Sequence, residues 1–102
     1  MPLAVTENGM ANCDWVHLDG QVHDPQRMDY IRRYLREYRR AIGEGVQAKA
    51  YFVWSIMDNF EWAYGYSRRF GIIYVDYPSG RRILKDSAHW YREVIATNGA
   101  NL

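Results

Sequence analysis

Apolar and polar positions follow one another in an order that predicts strand, helix, strand, hairpin and helix. Leu3-Ala4-Val5-Thr6 is a short run of mostly apolar, β-compatible residues, and Glu7 follows it directly. Asn8-Gly9 then turns the chain, so the pattern predicts a strand that delivers Glu7 at its tip, its Cα fixed by the strand and its side chain facing a cleft. Residues 10 to 24 show no period and read as a loop, with Asp19-Gly20 as a turn signal. Asp24-Pro25 has the form of a helix N-cap followed by proline at the first helical position, where the missing amide hydrogen costs nothing. Met28, Ile31, Leu35, Tyr38 and Ile42 recur at steps of three and four. They predict one apolar face of an amphipathic helix over residues 25–43, which Gly43 and Gly45 end.

Ala48 to Ser55 returns to a strand pattern, with Tyr51, Phe52, Val53 and Trp54 as a near-continuous apolar run of the kind buried on both faces. A strand, a helix and a strand in that order predict a right-handed crossover between two parallel strands. Residues 56–69 read as loop or short helix. Gly71 to Tyr77 reads as a further short strand, turned by Pro78-Ser79-Gly80, with Arg82-Ile83-Leu84 pairing back as a hairpin. Asp86 or Ser87 caps a last helix in which Ala88, Tyr91, Val94 and Ile95 keep helical spacing, ending near Asn98-Gly99.

Composition adds limits. The 102 residues are the size of one small domain, and 48% hydrophobic residues supply material for a core. The formal charge of +1 gives no global drive toward nucleic acid or acidic membrane. Cys13 is the sole cysteine, which excludes an intrachain disulfide. No apolar run approaches the ~20 residues of a membrane span, and no apolar segment follows a basic one at the N-terminus. The expectation is therefore a cytoplasmic protein without membrane association.

Three groups of residues bear on chemistry. Trp54 to Trp62 places a second polar, aromatic-rich loop after an apolar run, and two such strand ends suggest one shared cleft. Arg27, Arg32, Arg33, Arg36, Arg39 and Arg40 lie off the apolar stripe of the first helix and read as its solvated outer face, helped by Asp29 against Arg33; nucleic-acid binding is disfavoured by the near-neutral charge. His17 and His23 lack compact ligand spacing and no cysteine pair accompanies them, so they read as surface or hydrogen-bonded residues and no metal or other cofactor is expected.

Four blocks resemble, in order, the C-terminal part of family 1 glycoside hydrolases, the β-glucosidase family. They are Thr6-Glu7-Asn8-Gly9, the run from Asp19 to Asp24, the block from Tyr51 to Trp62, and the run from Arg69 to Tyr77. The resemblance covers nearly the whole chain and implies an α/β fold, a fragment of a (β/α)8 TIM barrel running from the seventh strand to the eighth helix. Residues 1–102 would then be the C-terminal βαβα portion of a glycosidase domain, with about two barrel strands, two helices and a short extra hairpin. By resemblance Glu7 is the catalytic nucleophile, which attacks the anomeric carbon and forms a covalent glycosyl-enzyme. Trp54 matches the aromatic floor under the sugar, Glu61 the acceptor for its outer hydroxyls, Trp62 an indole N–H donor, and Phe70 an aromatic wall of the same subsite. Glu61 also implies the branch that takes unphosphorylated β-glucosides, since a carboxylate there repels a 6-phosphate.

The chain departs from the family at one point. Retaining hydrolysis needs a second carboxyl about 5–5.5 Å from the nucleophile, supplied in this family by an Asn-Glu-Pro motif. Here Pro2, Pro25 and Pro78 follow Met1, Asp24 and Tyr77, so the motif is absent. The isolated chain is expected to be inactive or nearly so, and either an oligomer or part of a longer chain, because two barrel strands leave open edges. A non-catalytic carbohydrate-binding or self-assembling barrel fragment is the alternative.

Overall fold

The computed structural model describes residues 1–102. Strand β1 (Leu3–Asn8) leads through a long loop to helix α1 (Pro25–Gly43), which returns to strand β2 (Ala48–Val53). A single 3₁₀ turn at Trp62–Tyr64 interrupts the next loop. Strands β3 (Ile73–Val75) and β4 (Arg82–Leu84) form a hairpin, and helix α2 (Asp86–Ala96) closes the chain. β1 and β2 pair in parallel, Val5 opposite Tyr51 and Asn8 opposite Val53, while β3 and β4 pair antiparallel. No helix is long and apolar enough to cross a membrane.

The bounds of α1 coincide with the expected ones because Pro25 sets its first turn and the chain leaves the helix at Gly43–Glu44, before Gly45 takes a φ of 103°. Its stripe packs through Ile31 and Leu35 onto Trp90 and Val94 of α2, the whole of the buried cluster, with Met28, Tyr51 and Val53 half-buried against it. Tyr38 fastens the helix to the sheet by donating to the Ala50 carbonyl at 2.6 Å.

Several expectations are corrected. β1 continues through Asn8, so Glu7 is the next-to-last residue of the strand and not its tip. β2 is not buried on both faces: Phe52 is 58% exposed, because no further layer covers its side of a slab only 18 Å thick, and Leu3 at the start of β1 is 51% exposed. Arg27 does not belong to the solvated face; it is wholly buried. Asp24 occupies the N-cap position of α1 and its carbonyl accepts the Arg27 and Met28 amides, but its side chain does not cap that helix; one carboxylate oxygen meets Arg27 and the other accepts the Ser87 N–H at 2.9 Å, capping α2 from a distance. The N-cap of α2 is accordingly Lys85, not Asp86 or Ser87.

Candidate active site

The parallel pairing of β1 and β2 brings their C-terminal ends together. The Trp54 N–H donates to the Asn8 carbonyl at 2.9 Å. Gly9 lies so close to Trp54 that an added Cβ would stand 1.7 Å from the Trp54 carbonyl oxygen, so only glycine allows the two backbones to meet here. The Asn8 side chain is held on the helix side by the Tyr51 hydroxyl, which donates to its Oδ1. The pairing with β2 is irregular between Val5 and Asn8, and Glu7, within that irregular stretch, is exposed.

Phe70 joins this end through its backbone: its carbonyl accepts the Ser55 N–H at 3.1 Å, immediately after the cis Trp54–Ser55 peptide. Trp54 and Phe70 are both half-buried. Glu61 precedes the 3₁₀ turn, half-buried, its N–H donating to the Gly65 carbonyl at 2.7 Å and its carbonyl accepting from Tyr64 at 2.8 Å. Trp62 is 83% exposed with a φ of 39°, a left-handed backbone uncommon outside glycine. Its ring centroid lies 6.3 Å from that of Phe60, and Phe60 lies 5.5 Å from Tyr66. Glu7, Trp54 and Phe70 thus stem from the joined strand ends, while Glu61 and Trp62 stand on the tip of the following loop. None of the five lines a groove of about 540 Å³ that lies between α1, β2 and α2 and is walled by Tyr38, Tyr51, Val94 and Leu102.

Beneath the loop is a buried ionic network that no sequence pattern announced. Lys85 Nζ donates to Asp14 Oδ2 at 2.6 Å, Asp58 Oδ1 at 2.8 Å and the Gly71 carbonyl at 2.6 Å. Arg27 meets Asp14 at 2.7 Å, Asp24 at 2.5 Å and the Arg69 carbonyl at 2.8 Å. Arg69 donates to Asp58 Oδ2 at 2.6 Å and lies over the rings of Tyr74 and Tyr77. Burial works to raise the Asp14 carboxyl, but the hydrogen bonds from Arg27 and Lys85 outweigh it and hold the group below the usual carboxylate value. Burial pushes the Lys85 ammonium down, with Arg27 adding to the effect and Asp14 and Asp58 opposing it. One signal for Arg27 was available, since Arg27, Ile31 and Leu35 are spaced four apart on one helix face.

His23 stands apart from this network. Its Nδ1 lies 2.6 Å from Asp86 and its Nε2 2.7 Å from Asp19, with the His17 ring edge-on at 4.6 Å. The hydrogen bond to Asp86, then that to Asp19, raises its pKa above the ordinary histidine value.

Known proteins share both this sequence and this geometry. The sequence profile of glycosyl hydrolase family 1 matches residues 1–100. Beta-glucosidase A of Thermotoga maritima is 56% identical over 95 residues, which cover 93% of this chain and 21% of that protein. A bifunctional beta-D-glucosidase/beta-D-fucosidase of Bifidobacterium breve is 58% identical over 104 residues, covering 98% and 23% respectively. The solved family 1 β-glucosidase of Thermotoga maritima in complex with isofagomine lactam superposes with a TM-score of 0.95 at 54% identity, covering 96% of this chain and 22% of that one. The chain spans about a fifth of the length of the curated relatives it matches.

Proposed function

The chain belongs to glycosyl hydrolase family 1, and from that membership we propose that it carries the nucleophile and part of the sugar subsite of an enzyme hydrolysing β-D-glucosides or related β-glycosides with retention. Family 1 glycosidases are (β/α)8 barrels, of which this chain holds two parallel strands, two helices and a hairpin without a closed barrel. The observation that supports the reading is the junction of Asn8-Gly9 with Trp54, which brings the backbones that carry Glu7 and the Trp54 indole together at neighbouring strand ends.

In this reading the Glu7 carboxylate attacks the anomeric carbon, the aglycone oxygen leaves with a proton, and water later cleaves the glycosyl ester with the β configuration restored. The proton donor is a carboxyl outside these residues. Trp54 carries the apolar face of the sugar ring, and Glu61 accepts bonds from its outer hydroxyls, each charge-assisted bond worth roughly 1.5–3 kcal/mol before desolvation. Trp62 donates its indole N–H to the same sugar edge, and Phe70 closes the wall.

The test is a chimera in which residues 1–102 replace the matching fifth of Thermotoga maritima beta-glucosidase A. The expected outcome is aryl β-glucoside hydrolysis whose first-formed sugar is the β-anomer, abolished by Glu7→Gln. Glu61→Ala should lower kcat/KM at least ~10-fold and erase discrimination between 6-hydroxy and 6-deoxy glycosides. Activity that survives Glu7→Gln would remove Glu7 from the mechanism. The exposed Leu3 and Phe52 favour a second reading for the chain alone, self-assembly through its uncovered strands. Sedimentation of the 102-residue chain as a compact monomer would end that reading.

A further inference from the structure

We propose that Lys85 is a positioning residue for this site: its ammonium registers the loop bearing Glu61 and Trp62 against the loop that leaves the Glu7 strand. The inference rests on the functional reading of those residues given above.

The loop is held at its base. From Phe60 to Tyr66 it is barely packed, since Phe60, Trp62, Tyr64 and Tyr66 are each more than half exposed. What fixes it is its neck. Asp58 at one side accepts the Gly71 N–H at 3.1 Å and the Arg69 guanidinium at 2.6 Å from the other side, drawing the two ends of the loop together. Arg69 also exchanges backbone hydrogen bonds with Asn12, at 2.9 and 3.1 Å, on the loop after β1.

Lys85 joins these parts. Its three N–H groups have three acceptors on three segments: Asp14 after the Glu7 strand, Asp58 before Glu61, and Gly71 after Phe70. A compact ammonium suits three diverging acceptors, where a planar guanidinium would not. Both carboxylates that meet Lys85 are buried; without the ammonium Asp14 keeps Arg27 and Asp58 keeps Arg69, but the one cation that ties the two carboxylates to each other across the neck is lost. The neck would open, and Glu61, carried beyond it, would move with it. A misplacement of about 1 Å at a substrate-orienting group is enough to cost ~10²-fold in rate.

The test uses the chimera with Lys85→Met, a side chain of similar length without charge. If Lys85 acts through Glu61, kcat/KM for the 6-hydroxy glycoside should fall at least ~10-fold and the 6-hydroxy to 6-deoxy ratio should move toward that of Glu61→Ala. Lys85→Met in a Glu61→Ala background should then leave the ratio where it is. A general loss of structure would lower both substrates alike. An unchanged ratio in Lys85→Met, with the ratio collapsed in Glu61→Ala, overturns the positioning role and leaves the sugar site intact. An unchanged ratio in Glu61→Ala overturns the sugar site instead. If Lys85→Met does not accumulate as folded protein, Arg69→Lys, at a partly exposed member of the same neck, takes its place: a shifted ratio supports the positioning role and an unchanged one overturns it. Amide exchange gives a readout free of activity: Lys85→Met should speed exchange at Asp58 and Gly71 while the α1 amides keep their protection, and unaltered exchange at both neck amides overturns the proposal.

Discussion

Removing the Arg27 charge should be among the most damaging single changes in the chain. The side chain is wholly buried and meets Asp14, Asp24 and the Arg69 carbonyl. Arg27→Met keeps much of the volume but strips one cation from two buried carboxylates. Asp24 retains only the Ser87 N–H, and Asp14 retains Lys85 and the Asn12 amide. Breaking one partner out of a buried ion pair costs about 3–5 kcal/mol. A domain is typically stable by only about 5–15 kcal/mol, so the variant should lose a large share of its stability. Arg33→Met is the internal control: Arg33 meets Asp29 at 3.0 Å on the surface, and such pairs are worth about 1 kcal/mol or less. Urea unfolding followed by tryptophan fluorescence reads both without the screening an ionic denaturant brings.

The pH dependence gives that prediction a second edge. The Asp14 carboxyl is held below its ordinary value of 3.8, so its contribution is present above that pH and is lost as pH falls through its folded pKa. The gap between the native chain and Arg27→Met should therefore narrow with acidification below that value. A difference under about 1 kcal/mol near neutrality, or a gap that stays flat into acid, would refute the idea that buried charge pairing organises this part of the fold.

Gly9→Ala forces a Cβ to within 1.7 Å of the Trp54 carbonyl oxygen, backbone against backbone with nothing flexible to yield. The strand ends must part, lowering stability by roughly 3 kcal/mol or more, and a melting temperature within ~2 °C of the native chain would contradict this. His23 has a raised pKa, so the stabilisation from its two carboxylates is fully present below its unfolded value of about 6.5 and disappears as pH climbs through the higher folded one. The melting advantage of the native chain over His23→Gln should be largest at about pH 6 and shrink toward alkaline pH; a constant difference would mean that the imidazolium contributes nothing.

The elements were legible and the ionic centre was not, for a physical reason. A helix announces itself locally: Pro25, the stripe from Met28 to Ile42 and the glycines after it lie in one stretch, and α1 has the expected bounds. The strands and hairpin likewise followed from short runs, and the parallel pairing from their order. The network around Lys85 draws its members from the first loop, α1, the central loop and the N-cap of α2, so no window of sequence contains it. Asp58 looked like a polar loop residue beside Glu61, and nothing adjacent to it marks its four donors. The exposure of Phe52 has the opposite origin: its run reads as a strand covered on both faces, and these residues supply a cover for one.

Asp14, Asp24 and Asp58 against Arg27, Arg69 and Lys85 make three negative and three positive groups, paired among themselves. Each of these six groups has at least one partner of opposite charge within the chain. If the stretch were exchanged between two members of the family, these six groups would travel together with the pairs they make. What the host would have to match is the shape of the apolar faces at Leu3 and Phe52, where volume-conserving changes are tolerated far better than a lost ion partner. The six charges therefore form a set that has to be inherited together, since a change at any one of them leaves a buried partner short of its counter-charge.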